Sequence, residues 1–410
     1  MQHKMETETL KINYHNLSSD LCELGRKYDT DKSSQRNNVT DIRHCHPYTL
    51  FYEGLFRNQK NANLTIAELG VGLGSSLLMW QEYFVNSQIY GFDFSDEILE
   101  KFKKESFRVT LAKLDVRYKD KIVKAFAGLN VFYDIIIEDT THQFEDQIRV
   151  IESTFEYLKP GGILIIENIY KSFNENDYIN RLKNTLNHFQ EYYFVELDHC
   201  RRNSTGWNND KLFVLVKGGG EPIFKNAHKV TIITPSYRIH NLFKLRNSIR
   251  FDFVEEWIIV YDGSKITENP EFFEDEADHK IKEYVFKGEG VSGNAQRNFA
   301  LTKVSNPNTL LYYLDDDNTV HQNLYTLLNI IDNTKMYTFN QENGIRGNII
   351  KVQKIDTAMV IIPWQLCRNE KWIIDKYEAD GYYICECWTA NKQNHIHIDN
   401  ALCYYNKVKA

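Results

Sequence analysis

The sequence predicts an α/β fold in two consecutive domains, and three observations predict it. First, Leu64, Ile66, Ala67 and Leu69 form an apolar run that stops at Gly70, Gly72 and Gly74, ahead of a helical stretch over 77–84. That order reads as a buried parallel strand, a glycine turn and a helix, the opening unit of a doubly wound sheet. Second, Lys217-Gly218-Gly219-Gly220-Glu221-Pro222 breaks every pattern, and KVTIIT over 229–234 starts a new series of apolar strands. Third, 410 residues exceed what one hydrophobic core ordinarily supports. The expected organisation is a front domain over 1–217, a linker over 218–228 and a back domain over 229–410.

Composition narrows the partners. The chain is 42% apolar and 26% charged, with a net charge of −7 and no basic tract, so nucleic acid is not an expected partner. No apolar run reaches the length needed to span a bilayer, and Met1–Thr9 is polar rather than signal-like. The residues before Ser19 read as a frayed start. Seven cysteines are scattered, and only Cys385 and Cys387 are close, on one face of the strand expected over 382–387. With no second pair to complete a zinc site, reduced thiols and a cytoplasmic location are expected.

In the front half, Ser75 and Ser76 can cap the helix after the glycine turn, whose backbone amides would approach a ligand closely. A second strand over 88–92 (QIYGF) ends on Asp93, placed to accept bonds from ribose hydroxyls. A helix is expected over 97–105, then a strand over 109–114 ending on Asp115. A nearly all-apolar strand over 133–137 runs into Glu138-Asp139-Thr140-Thr141-His142. A helix over 147–158 leads to Lys159-Pro160-Gly161-Gly162 and a buried strand over 163–166 that ends on Glu167-Asn168. Ligands of open parallel sheets sit outside the carboxyl ends of the strands, where these acids fall.

Glu68 with the G-x-G-x-G turn and Asp93 resembles the first motif of class I S-adenosyl-L-methionine-dependent methyltransferases. The K-Y-x-T-D-K string over 27–32, followed by Tyr48 and Tyr52, resembles the entry region of macrolide-type sugar O-methyltransferases, the macrocin and mycinamicin group. The resemblance covers about 20–217. It implies that Glu68, Gly70, Gly72, Gly74, Asp93 and Asp115 bind the cofactor, with the segment around Tyr48 as a lid. It also implies that Glu138, Asp139 and Glu167 hold Mg2+ while His142 takes the proton from a sugar hydroxyl. The chain departs from that pattern: Glu138 stands for an Asp, Thr140-Thr141 for Gly-Ser, and Asn168 for an Asp.

In the back half, Thr234-Pro235-Ser236-Tyr237-Arg238 follows the first strand, and a second (WIIVY, 257–261) ends on Asp262. Gly293 to Asn298 opens a helix, and a strand over 310–314 ends in Asp315-Asp316-Asp317-Asn318. A carboxylate pair such as Asp315 and Asp317 can hold a divalent ion against a diphosphate. The order of parts resembles GT-A glycosyltransferases of the inverting, family 2-like kind, over about 229–406. The resemblance implies that Thr234, Tyr237, Arg238, Asp262, Arg297 and Asp315 contact a nucleotide-diphospho-sugar. It further implies Mn2+ or Mg2+ on Asp315 and Asp317, and a late acid as the base that deprotonates the acceptor, Asp380 or Glu378, with Asp380 preferred because it precedes a glycine.

The combined expectation is a bifunctional enzyme: O-methylation of a sugar hydroxyl and glycosyl transfer onto a glycan acceptor in bacterial surface-polysaccharide synthesis, at the inner membrane only through that acceptor. Two rivals stay open: a methyltransferase whose back half only binds glycan, and a scaffold without catalysis. A homo-oligomer stays open too.

Overall fold

In a computed structural model the described residues are 9–34, 45–102, 108–200, 208–224, 228–266, 273 and 279–408. The chain divides into two compact units, Met1–Lys225 and Asn226–Ala410.

The front unit runs β1 (Leu10–Asn13), α1 (Asp20–Tyr28), α2 (Tyr48–Phe56), β2 (Thr65–Leu69), α3 (Ser75–Tyr83), β3 (Gln88–Asp93), α4 (Asp96–Phe102) and β4 (Val109–Lys113). It continues through α5 (Lys119–Leu129), β5 (Tyr133–Glu138), α6 (Phe144–Thr154), β6 (Leu158–Ile169), α7 (Glu175–Arg181), β7 (Phe189–Asp198) and β8 (Lys211–Lys217). Its strands lie in the order β1-β7-β8-β6-β5-β2-β3-β4. The pairs β4/β3, β3/β2, β2/β5 and β5/β6 are parallel, and β8 inserts antiparallel between β6 and β7. From β2 the chain works outward to β4, then crosses to β5 on the other side of β2. The carboxyl ends of β2 and β5 therefore flank a switch point, where doubly wound sheets bind ligands. β5 is buried at every position, as its unbroken apolar sequence requires.

Two front-half expectations are corrected. Residues 10–13, read as frayed, form β1 and pair in parallel with β7, Leu10 opposite Val195; LKIN is too short and mixed to announce a strand until an edge receives it. The helix expected over 97–105 begins at Asp96 and is described to Phe102; 103–105 lie outside the described residues. Residues 218–224 pack on this unit: Gly218 N donates to His188 O (2.9 Å), Ile223 N to Gly161 O (2.9 Å), and the Phe224 ring lies 5.1 Å from that of Phe56. Gly161 has φ +76°, and a Cβ there would lie 1.9 Å from Glu221 O, so this approach admits only glycine. Of the expected linker, 225–227 lie outside the described residues.

The back unit runs β9 (Val230–Ser236), α8 (Ile239–Ser248), β10 (Val254–Asp262), β11 (Ile281–Phe286), α9 (Asn294–Leu301), β12 (Leu310–Tyr313) and α10 (Leu324–Ile330). It ends with β13 (Met336–Gln341), β14 (Val360–Pro363), α11 (Trp364–Cys367), α12 (Ala379–Ala390) and β15 (His395–Cys403). The order is β11-β10-β9-β12-β14-β13-β15, with β14 antiparallel to both neighbours and the other pairs parallel. Asp262 ends β10 and Asp315–Asp317 follow β12, so these acids share the carboxyl edge of a parallel β10-β9-β12 core. The strand expected over 382–387 is instead part of helix α12. Among its buried residues, Ala379, Tyr383 and Cys387 recur every four and Ile384 precedes Cys387 by three, the helical period. Cys385 and Cys387 consequently do not share a strand face.

Candidate active site

In the front unit a cavity of about 640 Å³ opens at the carboxyl ends of β2 and β3, within the size range of small-molecule sites. Gly70, Gly72, Asp93, Asp115, Asp139 and His142 line it, so six of the expected residues converge on one space. Residues 29–32 line it too, at the loop after α1. That loop is placed by the helix: Ser19 caps α1 by accepting from Cys22 N at 3.2 Å, and Asp29 ends it in the left-handed conformation.

Asp93 organises the glycine turn. Its Oδ2 accepts from Val71 N (3.0 Å) and Gly72 N (3.2 Å), and its Oδ1 accepts from Ser95 N (2.9 Å). The carboxylate keeps further lone pairs for hydroxyls in the cavity. Gly70 has φ +95°, and a Cβ there would lie 1.9 Å from Asp139 O; side-chain atoms at this position would close the turn against β5. Asp115 is bidentate to Arg117, with two contacts of 2.8 Å, and this arginine holds its carboxyl below the usual range.

Two residues expected at the cofactor lie elsewhere. Gly74 is the N-cap of α3 in the left-handed conformation, and a Cβ would meet the Phe102 ring at 2.2 Å; it serves helix packing rather than the cavity wall. It also takes the capping place expected of Ser75 and Ser76, which lie inside the helix. Glu68 is fully buried beneath the cavity, and burial pushes its carboxyl up to about 7 against the opposing pull of Lys32.

At the β5 end, Asp139 Oδ1 accepts from Asn168 Nδ2 (2.6 Å) and lies 3.0 Å from His142 Nε2. Asn168 Nδ2 also stands 3.2 Å from the same ring nitrogen, and the tautomer that suits the Asp139 carboxylate is the one with the proton on Nε2. Nδ1 is then the basic nitrogen. Burial alone would lower the His142 pKa, but the hydrogen bond and charge of Asp139 outweigh it and raise it. Asn168, not predicted to contribute, adopts φ +61° and is fixed by Tyr48, whose hydroxyl accepts from Asn168 N (3.1 Å) and has Asn168 Oδ1 (3.2 Å) and Asn209 O (3.0 Å) as acceptors for its one proton.

The carboxylates expected to hold Mg2+ are occupied otherwise. Lys32 Nζ lies 2.5 Å from Asp139 Oδ2, 2.5 Å from Glu167 Oε2 and 3.3 Å from Glu68 Oε1. Glu138 turns aside, its Oε1 accepting from Thr140 N (3.1 Å) and Oγ1. Burial pushes the Glu138 carboxyl up to about 7, and it pushes Glu167 upward against the opposing pull of the Lys32 charge. Among the described residues no group of three His, Cys, Asp or Glu side chains is placed to hold a metal ion. As they stand, Glu138, Asp139 and Glu167 do not fit Mg2+. Lys32 was visible in the K-Y-x-T-D-K string, but nothing in that spacing announced its reach to β5 and β6.

In the back unit, Arg297, buried and stacked 4.7 Å over Trp372, pairs with Asp315. Arg238 Nη2 bonds Asp316 and lies 2.9 Å from Asp317 Oδ2. The middle acid, Asp316, was not singled out; it is buried and accepts from Ser236 Oγ, Tyr237 N and Arg238 N at 2.8–3.0 Å, pinning the turn after β9 to the acidic turn after β12. Asp262 accepts from Ser264 N (3.0 Å) and Oγ (2.6 Å). Tyr237 is half exposed, with Lys265 Nζ 3.9 Å over its ring. Thr234 is corrected: it is wholly buried and its hydroxyl accepts from Trp257 Nε1 at 2.9 Å, so it holds core rather than ligand. Asp380 lies in the first turn of α12, and burial, aided by the charges of Asp356 and Asp315, pushes it up to about 6.

Residues 60–214 match a family described as a methyltransferase domain. Curated relatives include the mycinamicin VI 2''-O-methyltransferase of Micromonospora griseorubida, 27% identical over 177 residues, and the demethylmacrocin O-methyltransferase of Streptomyces fradiae, 28% identical over 174 residues. Each match covers 41% of this chain, and the chain spans about 40% of the length of each relative. Among solved structures, the MycE methyltransferase from the mycinamycin biosynthetic pathway, in complex with Mg and SAH, aligns at 22% identity and a TM-score of 0.38, covering 50% of this chain and 58% of its own. The front unit thus carries a Rossmann-like methyltransferase fold, and the back unit adds a second α/β sheet.

Proposed function

We propose that the front unit transfers a methyl group from S-adenosyl-L-methionine to a sugar hydroxyl. One observation carries this reading: a single cavity joins the Gly70–Gly72 turn and Asp93 on one side to the Asp139–His142 pair on the other. The turn amides and Asp93 suit the ribose and amino-acid ends of the cofactor, and Asp115 suits the adenine. Bound there, the cofactor supplies an electrophilic methyl on a sulfonium. His142 Nδ1 would take the hydroxyl proton as the new O–C bond forms and the C–S bond breaks, leaving S-adenosylhomocysteine. Asp139 holds the ring and stabilises the imidazolium that results. Tritiated methyl transfer to a panel of methyl hexopyranosides tests this. The rate should rise with pH through a midpoint above 6.5, because a raised His142 pKa delays the neutral form. His142→Ala should abolish turnover without changing cofactor affinity. A variant that methylates at the wild-type rate would sink the assignment.

The back unit is proposed as a GT-A glycosyltransferase acting on the same glycan, in surface-polysaccharide synthesis in the cytoplasm. The supporting observation is that Asp262, Asp315 and Asp317 share the carboxyl edge of the β10-β9-β12 core, with Arg238 and Arg297 beside them. Asp315 and Asp317, paired here with Arg297 and Arg238, would hold Mn2+ or Mg2+ only once the donor's diphosphate draws the arginines away and completes the ion's oxygen shell. Arg238 and Arg297 can neutralise phosphate charge, and Asp380, with its raised pKa, is the candidate base.

A further inference from the structure

The strand-end acids of the front unit already surround a cation. Lys32 is 1% exposed, and its ammonium has three protons to give. Asp139, Glu167 and Glu68 lie around it at 2.5, 2.5 and 3.3 Å. The second oxygens of Asp139 and Glu167 are engaged as in a filled site. Tyr52 donates to Glu167 Oε1 at 2.5 Å, while His142 and Asn168 converge on Asp139 Oδ1. Mg2+ binds carboxylate oxygens at 2.0–2.1 Å with near-octahedral demands. An ion bridging Asp139 and Glu167 would have to sit where Lys32 Nζ sits. Displacing the lysine would strand a buried ammonium unless it finds another acid. Asn168 adds to the same conclusion, because it directs an amide N–H, not an oxygen, toward Asp139.

We propose that the Lys32 ammonium takes the place of a divalent cation at this centre, so that the methyltransferase site works without a metal. This rests on the methyl-transfer reading of the same cavity. Lys32 is a positioning residue: it fixes Asp139, which fixes His142. Activation of the acceptor hydroxyl then falls to His142 rather than to a metal.

The test counts ions on the full chain by Mn2+ electron paramagnetic resonance, alongside calorimetry with S-adenosylmethionine. Wild type and Glu167→Gln should bind the same number of Mn2+ ions, since Glu167 holds none. Lys32→Met should gain one Mn2+ per chain, the freed acids taking the ion in place of the ammonium. Loss of one ion per chain in Glu167→Gln, or no gain in a folded Lys32→Met protein, overturns the proposal. If Glu167→Gln fails to bind S-adenosylmethionine, Asp139→Asn replaces it and is read the same way. A wild type that binds no S-adenosylmethionine would instead defeat the methyl-transfer reading, and the Mn2+ count would still decide the place of the metal.

Discussion

Replacing Glu138 by glutamine should stabilise the front unit in mild alkali and leave it unchanged in mild acid. The carboxyl ends β5 with no exposure, and its Oε2 has no hydrogen-bonding partner. Burial raises its pKa from the ordinary 4.5 to about 7, while Thr140 pulls the other way. Below 4.5 the folded and unfolded chains both hold the proton. Between 4.5 and about 7 the unfolded chain has released it and the folded chain has not, so stability falls as pH rises. At 1.36 kcal/mol per unit, that interval corresponds to about 2–4 kcal/mol by pH 8. Glutamine can still accept from Thr140 but cannot ionise, so it escapes the loss. Glu68 is raised in the same direction and keeps its own share of the slope in both proteins. Native-state hydrogen exchange at the amides of Ile135, Ile136 and Ile137 reads this unit without relying on one global transition. Comparing the two proteins at the same pH cancels chemical exchange. The variant should be protected by about 2–4 kcal/mol more than wild type at pH 8 and equally at pH 4.5. Equal protection at pH 8 would refute the picture of Glu138 as a buried, unpaired acid.

Further expectations concern the back unit. Thr234→Val removes the acceptor of Trp257 Nε1 and should cost about 1–3 kcal/mol of stability, measured by urea denaturation, with no change in nucleotide-sugar affinity by calorimetry; a weakened affinity would restore Thr234 to the binding site. Asp317→Ala should abolish metal-dependent release of nucleotide from a nucleotide-sugar panel, because the departing diphosphate loses its counter-charge; persistent turnover would remove Asp317 from that role. Asp380→Asn should lower the same turnover at every pH while leaving donor affinity intact, and weakened donor binding would mark it as a donor contact instead of a base.

The parallel core was legible because burial on both faces leaves nearly continuous apolar runs. The strands over 65–69, 88–93, 133–138 and 230–236 could therefore be placed from sequence, as could the glycine turn and Asp93. What failed depended on partners distant in the chain. β1 is a strand only because the β7 edge receives it. α12 was read as a strand because Tyr382, Tyr383, Ile384 and the cysteines favour strands individually, although the spacing of Ala379, Tyr383 and Cys387 is helical; pattern should have outranked propensity. In the site, residues whose work is local could be read. Glu68, Glu138 and Glu167 were assigned by their place at strand ends, but a lysine more than a hundred residues away decides what Asp139 and Glu167 hold. In the triple aspartate, the sequence could not distinguish the outer acids, Asp315 paired with Arg297 and Asp317 with Arg238, from Asp316, which also binds backbone amides.

The central claim is that the cavity beside Asp93 binds S-adenosylmethionine. Titration calorimetry of the full chain, in EDTA, addresses it directly. Wild type should bind one equivalent, and Asp93→Ala should bind about 30- to 1,000-fold more weakly, the equivalent of about 2–4 kcal/mol for two hydrogen bonds to a charged acceptor. No binding by wild type, or undiminished affinity in Asp93→Ala, would contradict the account.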